Sequence, residues 1–378
     1  MAGRIRPSEQ ARADLWTRAL ALEDKAGHRC VLVSTDIHIF TREQHREIVE
    51  AVRSRHGLAE PDVMLFATHT HSGPALPRGF DPGISWGLNE AEMRKLPTAS
   101  DRVRDQTLDA IAQALADLQP AKLSFGRGKA AFGVNRRVPK DDGSYDFGSN
   151  PAGVSDPDVP VLLIESTKGV PRAVVFTYAC HCTSIRNGKE GFYQYHPDYA
   201  GVAAMEVERQ LPGSTALYAT GCAGDIDPQP QGGVKQAEEH GQSLSAVVLA
   251  TINQAKRRQI RGPLRTTYRE IALPLAAIPS RQKYVELSTS RISYRQAARS
   301  LYSGADGCGN RSDRSSSPDT DLAVRERPHT GCFVRGSRCG LRLAAQEGTR
   351  RGAHLASGVC ERGALLHSIR ENLERRRL

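Results

Sequence analysis

The sequence predicts an α/β fold, a mixed β-sheet core flanked by helices, on three observations. Apolar runs of strand length recur through the first 280 residues. Segments with apolar residues at helical spacing lie between them. The runs end in residues that carry chemistry, with His69, His181 and Asp225 all just past strand ends, where an open α/β sheet places its active site.

Taken in order, residues 29–36 (Arg-Cys-Val-Leu-Val-Ser-Thr-Asp) read as a buried strand closing on the Asp36 carboxylate. Thr41, with Gln44 three residues on, has capping-box spacing and opens a helix whose apolar face is Ile48, Val49 and Val52. A second strand, Val63 to Thr68, runs into a histidine segment. Residues 100–118 form the next helix, with Leu108, Ile111, Leu115 and Leu118 on one face. Strands are expected at 121–126, 160–166, 172–178 and 214–220, and helices at 198–211 and 234–257. These elements make one expected unit, residues 1–280.

From about residue 281 the character changes. Residues 281–378 carry 18 Arg, a single Lys and 10 acidic residues, and hold nearly all of the chain's net charge of +10. Residues 303–318 have almost no apolar content, and periodicity returns only in a short helix near 361–376. Two readings compete: a disordered Arg/Ser/Gly-rich tail, or a non-native tail translated in a shifted reading frame. The second is favoured, because Cys308, Cys332, Cys339 and Cys360 are uncommon company for true disorder.

The bulk properties exclude several classes. With 378 residues and eight cysteines, the chain is too long and too Cys-poor for a disulfide scaffold. No apolar run reaches the roughly 20 residues needed to span a bilayer. No nucleic-acid partner is expected, because no binding motif accompanies the basic tail. The opening residues lack the apolar core of a secretory signal. Cys180 and Cys182 are one residue apart, which is not zinc-knuckle spacing, and read as small buried thiols.

Four segments could carry chemistry. Thr68-His69-Thr70-His71-Ser72-Gly73-Pro74 ends a strand; alternate strand residues share a side, so both imidazoles can enter one cleft, and neutral imidazole is a good zinc ligand. His181, after the β-rich run 172–178, becomes a plausible second ligand once paired with that segment. Asp225 and Asp227, after 215–220, could bind a cation or act as a general base, against the plainer reading of an Asp-capped turn. Asn135-Arg136-Arg137 offers a guanidinium that can fix a substrate oxygen.

In this order, Ser34 and Asp36, His69-Thr-His71-Ser-Gly-Pro, Asn135-Arg136, His181 with Thr183-Ser184, and Gly224-Asp225-Ile226-Asp227-Pro228 resemble the N-terminal catalytic domain of the neutral/alkaline, non-lysosomal ceramidases over about residues 1–280. The resemblance implies zinc and hydrolysis of an N-acyl amide, of the N-acylsphingosine type or related, to a fatty acid and an amine. It implies His69 and His181 as metal ligands, His71 as a residue positioning substrate or the developing oxyanion, and Arg136, with Asn135, as substrate-binding. It further implies a small-molecule or lipid amide as partner, with peripheral membrane contact, and a secreted or exported protein; localisation is left open.

Three departures accompany it. Asp227 stands where the family carries a catalytic serine, so it would serve as a base and not as that nucleophile. The Glu and Tyr that complete the family's zinc site have no recognisable counterpart after residue 280. The family's leading strand is expected upstream of Met1, which would make this an incomplete catalytic domain. Weak or no activity is therefore expected. The competing reading is a catalytically inactive remnant, or a non-catalytic binding protein of the same fold.

Overall fold

The computed structural model describes residues 4, 6–74, 76, 89–254 and 257–271, and the backbone of 337–343 and 353–356. The expected helix near 361–376, and most of the 281–378 tail, lie outside the described residues.

The chain opens with the two-residue strand β1 (Gln10–Ala11) and then β2 (Thr17–Glu23), which pairs antiparallel with β3 (Arg29–Thr35). Helix α1 (Arg42–His56) carries the chain to β4 (Val63–Ala67), parallel to β3. The capping box is present: Gln44 N donates to Thr41 Oγ1, and Thr41 N to Gln44 Oε1, both at 3.1 Å. Gly57, with φ of 70°, closes the helix in the left-handed conformation that suits glycine. The short helix α2 (Glu90–Met93) precedes α3 (Leu96–Ala116), which starts four residues earlier than its apolar spacing suggests.

Five further strands follow: β5 (Ala121–Lys129), β6 (Gly133–Pro139), β7 (Tyr145–Asn150), β8 (Asp158–Ser166) and β9 (Pro171–Tyr178). The short β10 (Gln194–Tyr195) pairs with β1, and α4 (Asp198–Gln210) leads to β11 (Thr215–Thr220), parallel to β9. Then come β12 (Ile226–Pro228), α5 (Val234–Ile252), β13 (Arg258–Ile260) and β14 (Thr266–Glu270). Within the tail, β15 (Ser337–Leu343) pairs with β14 and with β16 (Ala353–Ala356).

The main sheet runs β11-β9-β8-β5-β13, and a smaller one β2-β3-β4. Both are mixed, because β9-α4-β11 and β3-α1-β4 each return a parallel strand through a helix. Strands β8 and β9 are buried on both faces, which is why they read as unbroken apolar runs. Alternation divides them. Val161, Leu163, Val174, Phe176 and Tyr178 pack with α4 and α5, among Tyr199, Ala203, Val207, Leu244 and Val248. Leu162, Ile164, Ala173 and Val175 face Leu22, Leu32, Met64 and Phe66 of the small sheet. The other face of that sheet, Val31 and Val33, packs on Ile48, Val49 and Val52 of α1 and Leu108 and Ile111 of α3. The layers are helices, sheet, sheet, helices, and each fully buried Leu, Val or Phe contributes roughly 1.5–3 kcal/mol.

Ser34 Oγ donates to Tyr218 O at 2.6 Å and Thr220 Oγ1 to Ala67 O at 2.7 Å, which tie the two sheets together near the ends of β3, β4 and β11. No described helix is long and apolar enough to cross a membrane. Cys30, Cys180 and Cys182 are buried.

Candidate metal centre

The loops after β3, β4, β9 and β11 gather at one end of the two sheets, as parallel strands with helical crossovers require. Two close backbone approaches allow it. A Cβ on Gly73 would stand 2.9 Å from Asp36 O and 3.2 Å from Ile37 Cα, so only glycine lets the His69–Gly73 segment lie against the loop after β3. A Cβ on Gly221 would likewise stand 3.0 Å from Ala179 Cα, so this residue too lies close against a neighbouring backbone.

His38, His69 and His71 meet there. Their rings lie 4.4 Å (His38–His69), 4.7 Å (His38–His71) and 5.1 Å (His69–His71) apart between centroids. One nitrogen from each lies within 4.8 Å of the others. His181 stands on the far side, its ring 4.8 Å from His69 and 5.9 Å from His71. The two rings of His-Thr-His converge by a turn and not by strand alternation: β4 ends at Ala67, and His69 has φ of 63°. That turn is held by His69 N to Ile37 O at 3.0 Å and by Thr70 Oγ1 to His196 O at 2.8 Å.

Hydrogen bonds set the tautomers. His69 Nδ1 donates to His38 O at 2.8 Å, and His181 Nδ1 to Ala223 O at 2.5 Å, which leaves each Nε2 unprotonated with a lone pair to offer. Burial holds all four imidazoles neutral. It pulls His69 down to about 4, and it pulls His38, His71 and His181 well below the usual value, helped by the neighbouring His69 at His38, by the other imidazoles at His71 and by Arg136 at His181. His38 Nδ1 and His71 Nε2 are buried without a hydrogen-bond partner. A buried polar atom left so costs about 1–3 kcal/mol. Neutral imidazoles, each with one nitrogen within 4.8 Å of the others, fit a borderline transition cation.

The opposite wall is built from β6 and β12, which pair with each other. Arg136 Nη1 donates to Asp227 Oδ1 at 3.0 Å, Nε and Nη2 to Gly224 O at 3.2 and 2.8 Å, and Nη2 to His181 Nε2 at 3.3 Å. Thr183 Oγ1 also donates to Asp227 Oδ1, at 3.3 Å. Asn135 is a brace: its Nδ2 donates to Val154 O and Asp225 Oδ2, and its Oδ1 accepts from Arg137 N. Asp225 is raised by burial and lies beside Asn135. Behind the wall, Asp198 accepts from Ser184 N and Ile185 N and so anchors the segment after His181.

His69, His71, His181, Arg136 and Asp227, singled out in the sequence, therefore come together, with Asn135 and Asp225 one layer behind. Sequence reasoning missed His38. Its only signal was position, two residues past Asp36 on the same strand exit.

A family model described as neutral/alkaline non-lysosomal ceramidase, N-terminal, matches residues 8–273. Neutral ceramidase B of Dictyostelium discoideum is 29% identical over 234 residues, 57% of this chain and 31% of that protein. Neutral ceramidase of Pseudomonas aeruginosa is 28% identical over 220 residues, 56% of this chain and 32% of that protein. A solved structure described as ceramidase complexed with C2 superposes with a TM-score of 0.59 at 25% identity, over 72% of this chain and 44% of that one. The chain thus spans about a third of the length of the curated relatives it matches.

Proposed function

Because the chain belongs to the neutral/alkaline non-lysosomal ceramidase family, we propose that residues 1–280 form the metal-holding part of a zinc-dependent hydrolase, which cleaves an N-acyl amide of the N-acylsphingosine type, or a related amide, to a fatty acid and an amine. The observation that carries this reading is the convergence of His69 and His181 from two different sheets, each with its Nδ1 committed to a carbonyl and its Nε2 left as the unprotonated nitrogen, which in His181 accepts from Arg136 Nη2.

When bound there, zinc supplies Lewis-acid stabilisation of the charge that develops on the amide oxygen. His69 and His181 hold it. His71, beside them, orients the reacting carbonyl. Asp227 accepts the proton of the attacking water, and Arg136 and Thr183 fix the carboxylate that takes it. The Arg136 guanidinium steers a substrate oxygen once His181 is engaged elsewhere, and Asn135 keeps its strand in place. A lipid amide would be drawn from a bilayer surface. The exposed rings of Tyr145 and Phe147 on β7 would meet that surface first, Phe147 with its ring 5.0 Å from the Arg136 guanidinium.

The test is zinc content together with turnover of a short-chain N-acylsphingosine by the purified chain. Zinc binding that His69→Ala abolishes, with turnover that is weak and is lost along with the zinc, is the expected result. Zinc binding without turnover in any preparation would favour the inactive remnant, and turnover indifferent to zinc and to His69 would end the metal reading.

A further inference from the structure

We propose that His38 is a direct ligand of the ion that His69 binds, so that the loop after β3 supplies a metal-binding imidazole of its own. This rests on the reading of the site as metal-binding and adds a residue to it.

Three observations converge on His38. Its ring stacks on His69 at 4.4 Å and meets His71 edge-on at 4.7 Å, and one nitrogen of each of the three rings lies within 4.8 Å of the other two. Its Nδ1 is buried and has no hydrogen-bond partner, as is His71 Nε2. Its own carbonyl accepts from His69 Nδ1 at 2.8 Å, so the backbone of residue 38 turns the lone pair of His69 toward the cluster to which the His38 ring belongs. A metal-bound histidine characteristically has its second nitrogen tied to a carbonyl in this way.

The arrangement is built into the chain. Gly73 is the residue whose lack of a side chain lets the His69–Gly73 segment reach the backbone at Asp36 and Ile37, immediately before His38. His69 N donates to Ile37 O at 3.0 Å across the same junction. Tetrahedral ligands bonded at 2.0–2.1 Å stand about 3.4 Å apart, so small ring rotations bring these nitrogens onto one ion. His181 is differently placed, since its Nε2 already accepts from Arg136 Nη2 at 3.3 Å, and that guanidinium is anchored on Gly224 O and Asp227. Among the described residues, His38 Nδ1 and His71 Nε2 have no such competing bond.

Co2+ titration of the whole chain tests this, with His38→Ala, His38→Cys and wild type compared. Wild type is expected to bind one ion. His38→Ala should bind it at least roughly 10–100-fold more weakly, the loss that even an outer partner of a metal ligand brings, while the metal-free variant melts as wild type does. His38→Cys should keep the ion and add a thiolate-to-cobalt charge-transfer band that wild type lacks, which reports residue 38 on the metal directly. One ion bound by His38→Ala with wild-type affinity, or by His38→Cys with no new band, overturns the proposal and leaves the metal reading standing. A wild-type chain that binds no stoichiometric ion overturns both.

Discussion

The two walls of the cleft handle their buried polar atoms in opposite ways. On the wall formed by the loops after β3 and β4, His38 Nδ1 and His71 Nε2 are buried with nothing to bond. On the wall formed by β6 and β12, Arg136 gives hydrogen bonds to Asp227, His181 and Gly224, and Asp227 accepts a second from Thr183. One wall is organised by contacts within the protein. The other is organised for something that the protein must receive. Stability in the first is intrinsic, and in the second it is conditional on a ligand.

That contrast can be broken in order of size. The largest effect should come from Asp227→Ala, which takes the carboxylate away from the Arg136 guanidinium in a pair whose side chains are 13% and 4% exposed. A loss of about 3–5 kcal/mol in denaturant unfolding is expected, with or without metal. If unfolding free energy is unchanged, the β6–β12 wall is not self-sufficient. Next, zinc at a hundred times its dissociation constant should stabilise wild type by about 2.7 kcal/mol, and a chelator should reverse it. The same increment should survive in Asp227→Ala if the walls are independent, and a vanished increment would show them coupled.

Smaller effects give the baseline far from either wall. Thr41→Ala removes the capping box of α1 and should cost about 1 kcal/mol, with metal affinity unchanged. Smallest is a pH effect at His28. Its bond to Asp62, 2.7 Å long, raises its pKa. The stability it contributes is full below its unfolded value of about 6.5 and is lost as pH rises through the higher folded value. Because His28 is 37% exposed and solvent screens the pair, the melting temperature should drop by an amount worth only a few tenths of a kcal/mol above that range, and His28→Gln should flatten the profile.

Much of the fold was legible because its signals are local. Strands β8 and β9 announce themselves as apolar runs, Thr41 and Gln44 mark the start of α1, and Leu108 and Ile111 mark the buried face of α3. The strand β2 escaped notice because Ala19 and Ala21 facing α1 and α3, and Leu20 and Leu22 facing the main sheet, blur any alternation. The β6–β7 hairpin was missed since its residues are mostly polar and its aromatic side chains, Tyr145 and Phe147, lie exposed. At the site, His69, His71 and His181 could be singled out because each follows a recognisable strand. His38 could not, because what brings it in is a glycine 35 residues later, and the bond from Arg136 to His181 joins segments whose approach only the packed sheets decide.

The backbone at His69, with its φ of 63°, points to one last consequence. An L-residue with a full side chain is held where glycine or asparagine would sit at ease, and the penalty for such a conformation is of order 1–3 kcal/mol. Left to thermal stability alone, that position would drift toward a smaller residue. An imidazole kept there against the preference of its own main chain marks a place where the molecule has given up robustness in exchange for aim.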